Sequence, residues 1–233
     1  FPTAEVRALA SSRSAGRKLP FASGELTVEE MTPASFEGVD IALFSAGGDI
    51  KQMAENTMSD ILGRKLDLFS QIHNFPKPII AAINGLALGG GCELAMACDF
   101  RVGSEKARLG QPEINLGIFP GGGATQRLQR LIGVGRAKEL IFTGDIIDAQ
   151  EAERIGLLNK VFPAKELMSQ TMAIAKKICA KSPLSLKLAK MAINMGMETG
   201  LQIGLGYEKL ARTLAHGSED RVGGMHAFLE KRK

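Results

Sequence analysis

The sequence predicts an α/β domain with a mainly parallel sheet and a helical C-terminal half. Short apolar runs at 41–44 (IALF) and 79–83 (IIAAI), and the segment 99–102 (DFRV), have strand length, and helical patterns separate them. Strands that alternate with helices need crossover connections, which favour parallel neighbours. From residue 121 onward, glycines and capping residues delimit one helix after another.

Residues 1–40 read differently from the rest. Arg7, Arg13, Arg17 and Lys18 face a single acid, Glu5, with Ser11, Ser12 and Ser14 among them. That composition resembles a transit peptide, and the alternative is a disordered or foreign leader. Turn formers (Pro20, Gly24, Pro33, Gly38) and weak alternation predict little strand before residue 41.

The run at 41–44 stops at a turn, Ser45–Asp49. Ile61, Leu62, Leu66, Phe69 and Ile72 are spaced for one helix face, which Pro76 and Pro78 end by removing amide donors. Ile79–Ile83 is a central strand running into the Asn84-Gly85 turn. Gly89–Gly91 opens a helix over Cys92–Cys98, and Asp99–Val102 is the next strand. Gly121–Gly123 leads into Ala124–Ile132, and Gly135 precedes Arg136–Phe142. Asp148-Ala-Gln-Glu151 is a capping box whose helix Gly156 closes. Helices follow over 165–180, 183–196 and 200–215, with Met191, Met195 and Met197 expected to pack between them. Ser218 caps a last helix through Phe228, with Glu219 and Asp220 at its positive end.

Composition removes several function classes. A chain of 233 residues suits one domain with a small appendage, and 45% hydrophobic with 23% charged residues is ordinary for a globular protein. Cys92, Cys98 and Cys179 show no CxxC spacing and are expected as reduced thiols. His73, His216 and His226 are too scattered for a zinc site. With no Trp and one Tyr, stacking readout of nucleic acid is unsupported. No apolar stretch approaches the roughly 18 residues of a membrane span. The net charge of +4 suits a polyanionic ligand such as a nucleotide phosphate.

Two glycine triplets remain as chemical signals. Neither is followed by Lys-Ser or Lys-Thr, so neither is a phosphate-cradling loop, and Gly133-Val-Gly135 lacks the third glycine of a dinucleotide fingerprint. Gly89–Gly91 is a strand-to-helix junction whose first-turn amides have no helical partner, at the positive end of a helix dipole. Such a junction either packs tightly or holds a developing oxyanion. Glu93 follows in an apolar helix, where it either offsets the dipole or does chemistry. Glu113 lies beyond Gly110-Gln-Pro112, before Ile114, Leu116 and Ile118. Two glutamates in apolar settings on neighbouring connections form a candidate coupled pair, one with a raised pKa.

Four segments in order, FSAGGDIKQM (44–53), NGLALGGGCELAMACD (84–99), GQPEINLGIFPGGGATQRL (110–128) and AFLEKR (227–232), closely resemble the crotonase family of enoyl-CoA hydratases and isomerases. The resemblance runs from about residue 41 to the end. It implies a crotonase-like ββα spiral with a C-terminal helical trimerisation region. It divides the chain into an atypical segment 1–40, a catalytic core 41–180 and an oligomerisation region 181–233. The family's opening strands, and a stretch like NRPxxxNAL before the SAG turn, have no counterpart in residues 1–40.

The resemblance also implies a mechanism. The amides of Gly48 and Gly90 would hold the thioester oxygen as it becomes an enolate. Glu93 would activate water for attack at Cβ, Glu113 would supply the proton to Cα, and Gly121 matches the family glycine at a helix N-terminus. Ala46, Gly48, Asp49, Ile50, Lys51 and Gly90 would line the acyl-CoA site, with Lys51 serving either the CoA phosphates or surface cover. No metal or redox cofactor is implied, coenzyme A being part of the substrate. Two carboxylates favour hydration over double-bond isomerisation. The implied assembly is a trimer or hexamer in the cytoplasm, or in the mitochondrial matrix if residues 1–20 are a leader. A binding protein using Lys176, Lys177, Lys181, Lys187 and Lys190, and an inactive scaffold, are the rival classes.

Overall fold

The structure, a computed structural model, describes residues 68–231 and the backbone of four strands before them. Those strands are β1 (Val6–Ala10), β2 (Lys18–Phe21), β3 (Gly24–Glu30) and β4 (Ile41–Ser45). They form one sheet in the order β2-β3-β1-β4. β1 runs parallel to both neighbours, pairing with β4 from Val6↔Ile41 to Ala10↔Ser45, and β2 pairs antiparallel with β3. The expectation of little strand in residues 1–40 is therefore corrected. The alternation in β3 (Leu26 and Val28 against Glu25, Thr27 and Glu29) is short, and pairing with a strand from a distant part of the chain completes it. β4 forms as expected, with β1 as its ladder partner, and it also lies beside the strand at 79–83. The helical pattern at 61–66 and the turn at 46–51 lie outside the described residues.

α1 (Leu68–Asn74) ends before Pro76 and Pro78, as predicted. A three-stranded parallel sheet follows in the order β10 (Lys160–Phe162), β7 (Phe100–Ser104), β5 (Ile80–Ile83). Every residue of β5 is buried, which is why it reads as a continuous apolar run. A second small sheet joins β6 (Leu86–Leu88), β8 (Arg108–Gly110) and β9 (Ile146–Asp148), with β6 parallel and β9 antiparallel to β8. β6 has only three residues after an Asn-Gly turn, too few to show a period.

Between these strands lies α2 (Gly90–Ala97), buried from Gly91 to Ala97. Its Cys92, Leu94, Ala95, Met96 and Ala97 join Leu109, Leu128, Ile132 and Leu158 in one core. At roughly 1.5–3 kcal/mol per buried large side chain, that contact anchors α2 firmly. α3 (Ala124–Ile132) and α4 (Val134–Thr143) meet at Gly133, whose φ of 84° favours glycine. α4 thus starts before Gly135. Asp148 Oδ1 accepts the Glu151 amide at 2.8 Å and starts α5 (Ala149–Arg154), as its capping box predicts.

The described residues fall into two compact units. One holds β1–β4, α1 and residues 79–176, the other residues 76–78 and 177–231. α6 (Leu167–Cys179) runs from the first into the second. The second contains α7 (Pro183–Glu198), α8 (Leu201–His216) and α9 (Glu219–Leu229). Ser182 and Ser218 cap α7 and α9 by accepting the amides of Ser185 and Arg221. Lys190 is buried and donates to the carbonyl of Lys77 at 3.1 Å, so it leaves the basic stripe. Met191, Met195 and Met197 are exposed rather than packed between helices. Among the described residues, no helix is long and apolar enough to cross a membrane.

Candidate active site

The site is built where two helices begin. β6 ends at Gly89, whose φ of 54° and ψ of −124° turn the chain into α2. Gly89 donates to the Gly110 carbonyl at 3.0 Å and accepts from the Glu93 amide at 2.9 Å. A Cβ on Gly89 would lie 2.7 Å from Glu113 Oε1, so the Glu113 carboxylate rests against the N-terminus of α2. Beside it the space is open: a Cβ on Gly90 would meet nothing within 4 Å.

Glu93 sits one turn into α2 and is 4% exposed. Its Oε1 accepts two backbone amides, Gly122 at 2.6 Å and Ala124 at 3.0 Å. Ala124 opens the first turn of α3, where amides lack helical partners, and Gly122 lies just before its cap, Gly123. A Cβ on Gly122 would lie 2.7 Å from Glu93 Oε2 and 2.6 Å from the ring of Phe69. Arg127 donates back to the Gly122 carbonyl at 3.0 Å and steadies the turn. Each predicted glutamate therefore meets a helix N-terminus. The glycine that reaches Glu93 is Gly122, while Gly121 borders open space.

Glu113 stands in the first turn of a 3-10 helix, Pro112–Leu116, and is half-buried. Burial raises its pKa above the ordinary 4.5, its own backbone amide pulls the other way, and the charge of Glu93 raises it further. Buried Gln111, with its amide nitrogen turned toward Glu113, donates to both carboxylate oxygens at 3.2 Å. The Cys92 thiol lies in the same cluster, and burial pushes its pKa up to about 12, which removes it as a nucleophile at neutral pH. Sequence reading missed Gln111, Gly122, Ala124 and Phe69. Gln111 alone left a trace, as a polar residue two places before Glu113. Ala46, Gly48, Asp49, Ile50 and Lys51 lie outside the described residues. Among the described residues, no cluster of three His, Cys, Asp or Glu could hold a metal ion.

A buried carboxylate clamped by backbone amides lies within electrostatic reach of a second carboxylate of raised pKa beside an open glycine junction. The family model described as Enoyl-CoA hydratase/isomerase matches residues 34–233. The chain belongs to the enoyl-CoA hydratase/isomerase family. The fold of this family member is correspondingly close to that of an enoyl-CoA hydratase from Bacillus anthracis, with a TM-score of 0.79 and 42% identity over 84% of this chain and 80% of that one. It is 46% identical over 223 residues to a short-chain-enoyl-CoA hydratase of Clostridium acetobutylicum, covering 93% of this chain and 85% of the relative. It is 48% identical over 195 residues to a crotonyl-CoA hydratase of Syntrophomonas wolfei, covering 82% and 74%. A second model, the NAD binding domain of semialdehyde dehydrogenase, matches residues 1–64. The opening segment of this hydratase/isomerase family member thus carries the likeness of another family.

Proposed function

We propose that the protein is an enoyl-CoA hydratase, adding water reversibly across 2-trans-enoyl-CoA to give 3-hydroxyacyl-CoA. The observation that carries this reading is the placement of Glu93 and Glu113 at two helix N-termini around open space at Gly90. Addition to a thioester-conjugated alkene builds negative charge on the carbonyl oxygen, which the Gly90 amide, with that of Gly48, is suited to hold. Glu93, fixed through Oε1, offers Oε2 as the base that orients and deprotonates water. Glu113, whose raised pKa favours the protonated form, delivers the proton to Cα. The chemistry as written needs no metal or redox cofactor.

The substrate role of Ala46, Gly48, Asp49, Ile50 and Lys51, and the helix-end role of Gly121, belong to the same reading. So does the division into segment 1–40, core 41–180 and helical region 181–233. Assembly as a trimer or hexamer is supported by apolar side chains left exposed on α8 and α9, among them Leu201 (73%), Leu214 (64%) and Phe228 (82%). A cytoplasmic setting fits the bacterial relatives. Burial of Lys190 weakens the basic-stripe alternative.

The direct test is loss of the conjugated-thioester absorbance of crotonyl-CoA on adding the folded protein. Absence of turnover rejects the reading.

A further inference from the structure

Arg101 lies on β7 and is 3% exposed. Its guanidinium is spent on main-chain carbonyls, with the charge of Asp99 within electrostatic reach. Nε donates to the Leu157 carbonyl at 2.9 Å, and Nη1 to the carbonyls of Cys98 at 3.1 Å and Ala95 at 3.4 Å. The last two are the terminal carbonyls of α2, the helix that carries Gly90 at its other end. The backbone of Arg101 is clasped by Asn159: its amide donates to Asn159 Oδ1 and its carbonyl accepts the Asn159 amide, both at 2.8 Å. Burying a cation whose hydrogen bonds go to neutral carbonyls costs stability, and a neutral side chain would fill the space more cheaply. Burial works against the charge, yet the intrinsic basicity of a guanidinium keeps it cationic.

We propose that Arg101 is a positioning residue for α2: its cation neutralises the negative end of the helix, so that the opposite end presents a stronger positive potential to the enolate oxygen. An eight-residue helix spans about 12 Å. Over about 12–15 Å, at an effective dielectric of about 20, one charge changes the stability of another by about five- to tenfold. The thioester oxygen is nearly neutral in the ground state and charged in the enolate, so the effect falls on kcat and spares KM. This rests on the hydratase reading above.

The test is kcat and KM for crotonyl-CoA in wild type, Arg101→Met, Arg101→Lys and Asn159→Asp, each shown to be folded by circular dichroism. Arg101→Met is expected to lower kcat about five- to tenfold with KM within about twofold. Arg101→Lys, which keeps the charge but loses the fork, should stay within about threefold of wild type. Asn159→Asp keeps the oxygen acceptor, sets a negative charge against the Arg101 backbone amide, and should lower kcat by about twofold. The acidity of a bound 3-oxoacyl-CoA, read from its enolate absorbance, should fall in parallel, with a pKa higher by up to about one unit in Arg101→Met. Wild-type kcat in Arg101→Met, or an equal loss in Arg101→Lys, overturns the proposal. If Arg101→Met does not fold, an unchanged kcat in Asn159→Asp overturns it instead. A wild-type protein that leaves crotonyl-CoA untouched fails the hydratase reading itself, whereas turnover with an indifferent Arg101 sinks this inference alone.

Discussion

Glu113 Oε1 lies 2.7 Å from the point that a Cβ on Gly89 would occupy. No side chain fits between that carboxylate and the start of α2, and the φ of 54° at Gly89 is itself a glycine conformation. Gly89→Ala should therefore lose roughly 1–3 kcal/mol of stability and displace Glu113. Gly90→Ala meets open space and should keep the wild-type melting temperature while raising KM. Thermal denaturation beside steady-state kinetics separates the two, and equal behaviour would contradict the geometry.

Glu113→Gln removes the proton that Cα needs, and turnover should fall by about 10²–10⁴. Stability should move the other way. Because the folded-state pKa is raised, the contribution of Glu113 is fully present below 4.5 and is lost as pH rises through the folded value. At neutral pH the variant should melt no lower than wild type, and any gain should vanish below pH 4.5. A lower melting temperature at pH 7 would mean that burial does not govern this carboxyl.

The same shift orders the pH dependence of activity. Hydration requires the proton on Glu113 and dehydration requires the same proton on Glu93, so both rates should decline together on the alkaline side as the pair loses it. Rates of crotonyl-CoA hydration and 3-hydroxybutyryl-CoA dehydration across pH provide the check.

Gly122→Ala drives a methyl group into the Phe69 ring and Glu93 Oε2 together. Turnover should drop by about tenfold or more, since small displacements of a general base are costly. Adding Phe69→Leu relieves one of the two collisions and should recover part of the loss. A double variant no better than the single would assign the whole effect to Glu93.

Cys92, with its thiol pushed up to about 12, should resist alkylation of the native protein at neutral pH. Treatment with iodoacetamide should leave hydration intact, and mass spectrometry should find Cys92 labelled only after denaturation. Loss of activity on labelling Cys92 would refute its burial.

The legible parts of the fold were those with a local signature. Pro76 and Pro78, the Asp148 capping box and the Ser218 cap each set a helix boundary from a few adjacent residues. Glu93 and Glu113 stood out because charge in an apolar run is conspicuous. What escaped was non-local: β1 and β3 exist by pairing with each other, and β4 lies on β1 because of where the chain returns. The odd composition of residues 1–20 has a counterpart in the second family likeness, which spans 1–64. Gly122 and Ala124 act through backbone amides, for which residue type is almost mute.

That last point has a practical side. A grip made of main-chain donors is written into the path of the chain, so side-chain truncation cannot delete it. An alanine scan through 121–128 would register crowding at Gly122 and pass over Ala124 altogether, leaving the clamp on Glu93 undetected. Replacing the Gly122 or Ala124 amide by an ester linkage, which removes one N–H and leaves the side chains alone, is the perturbation that makes it visible.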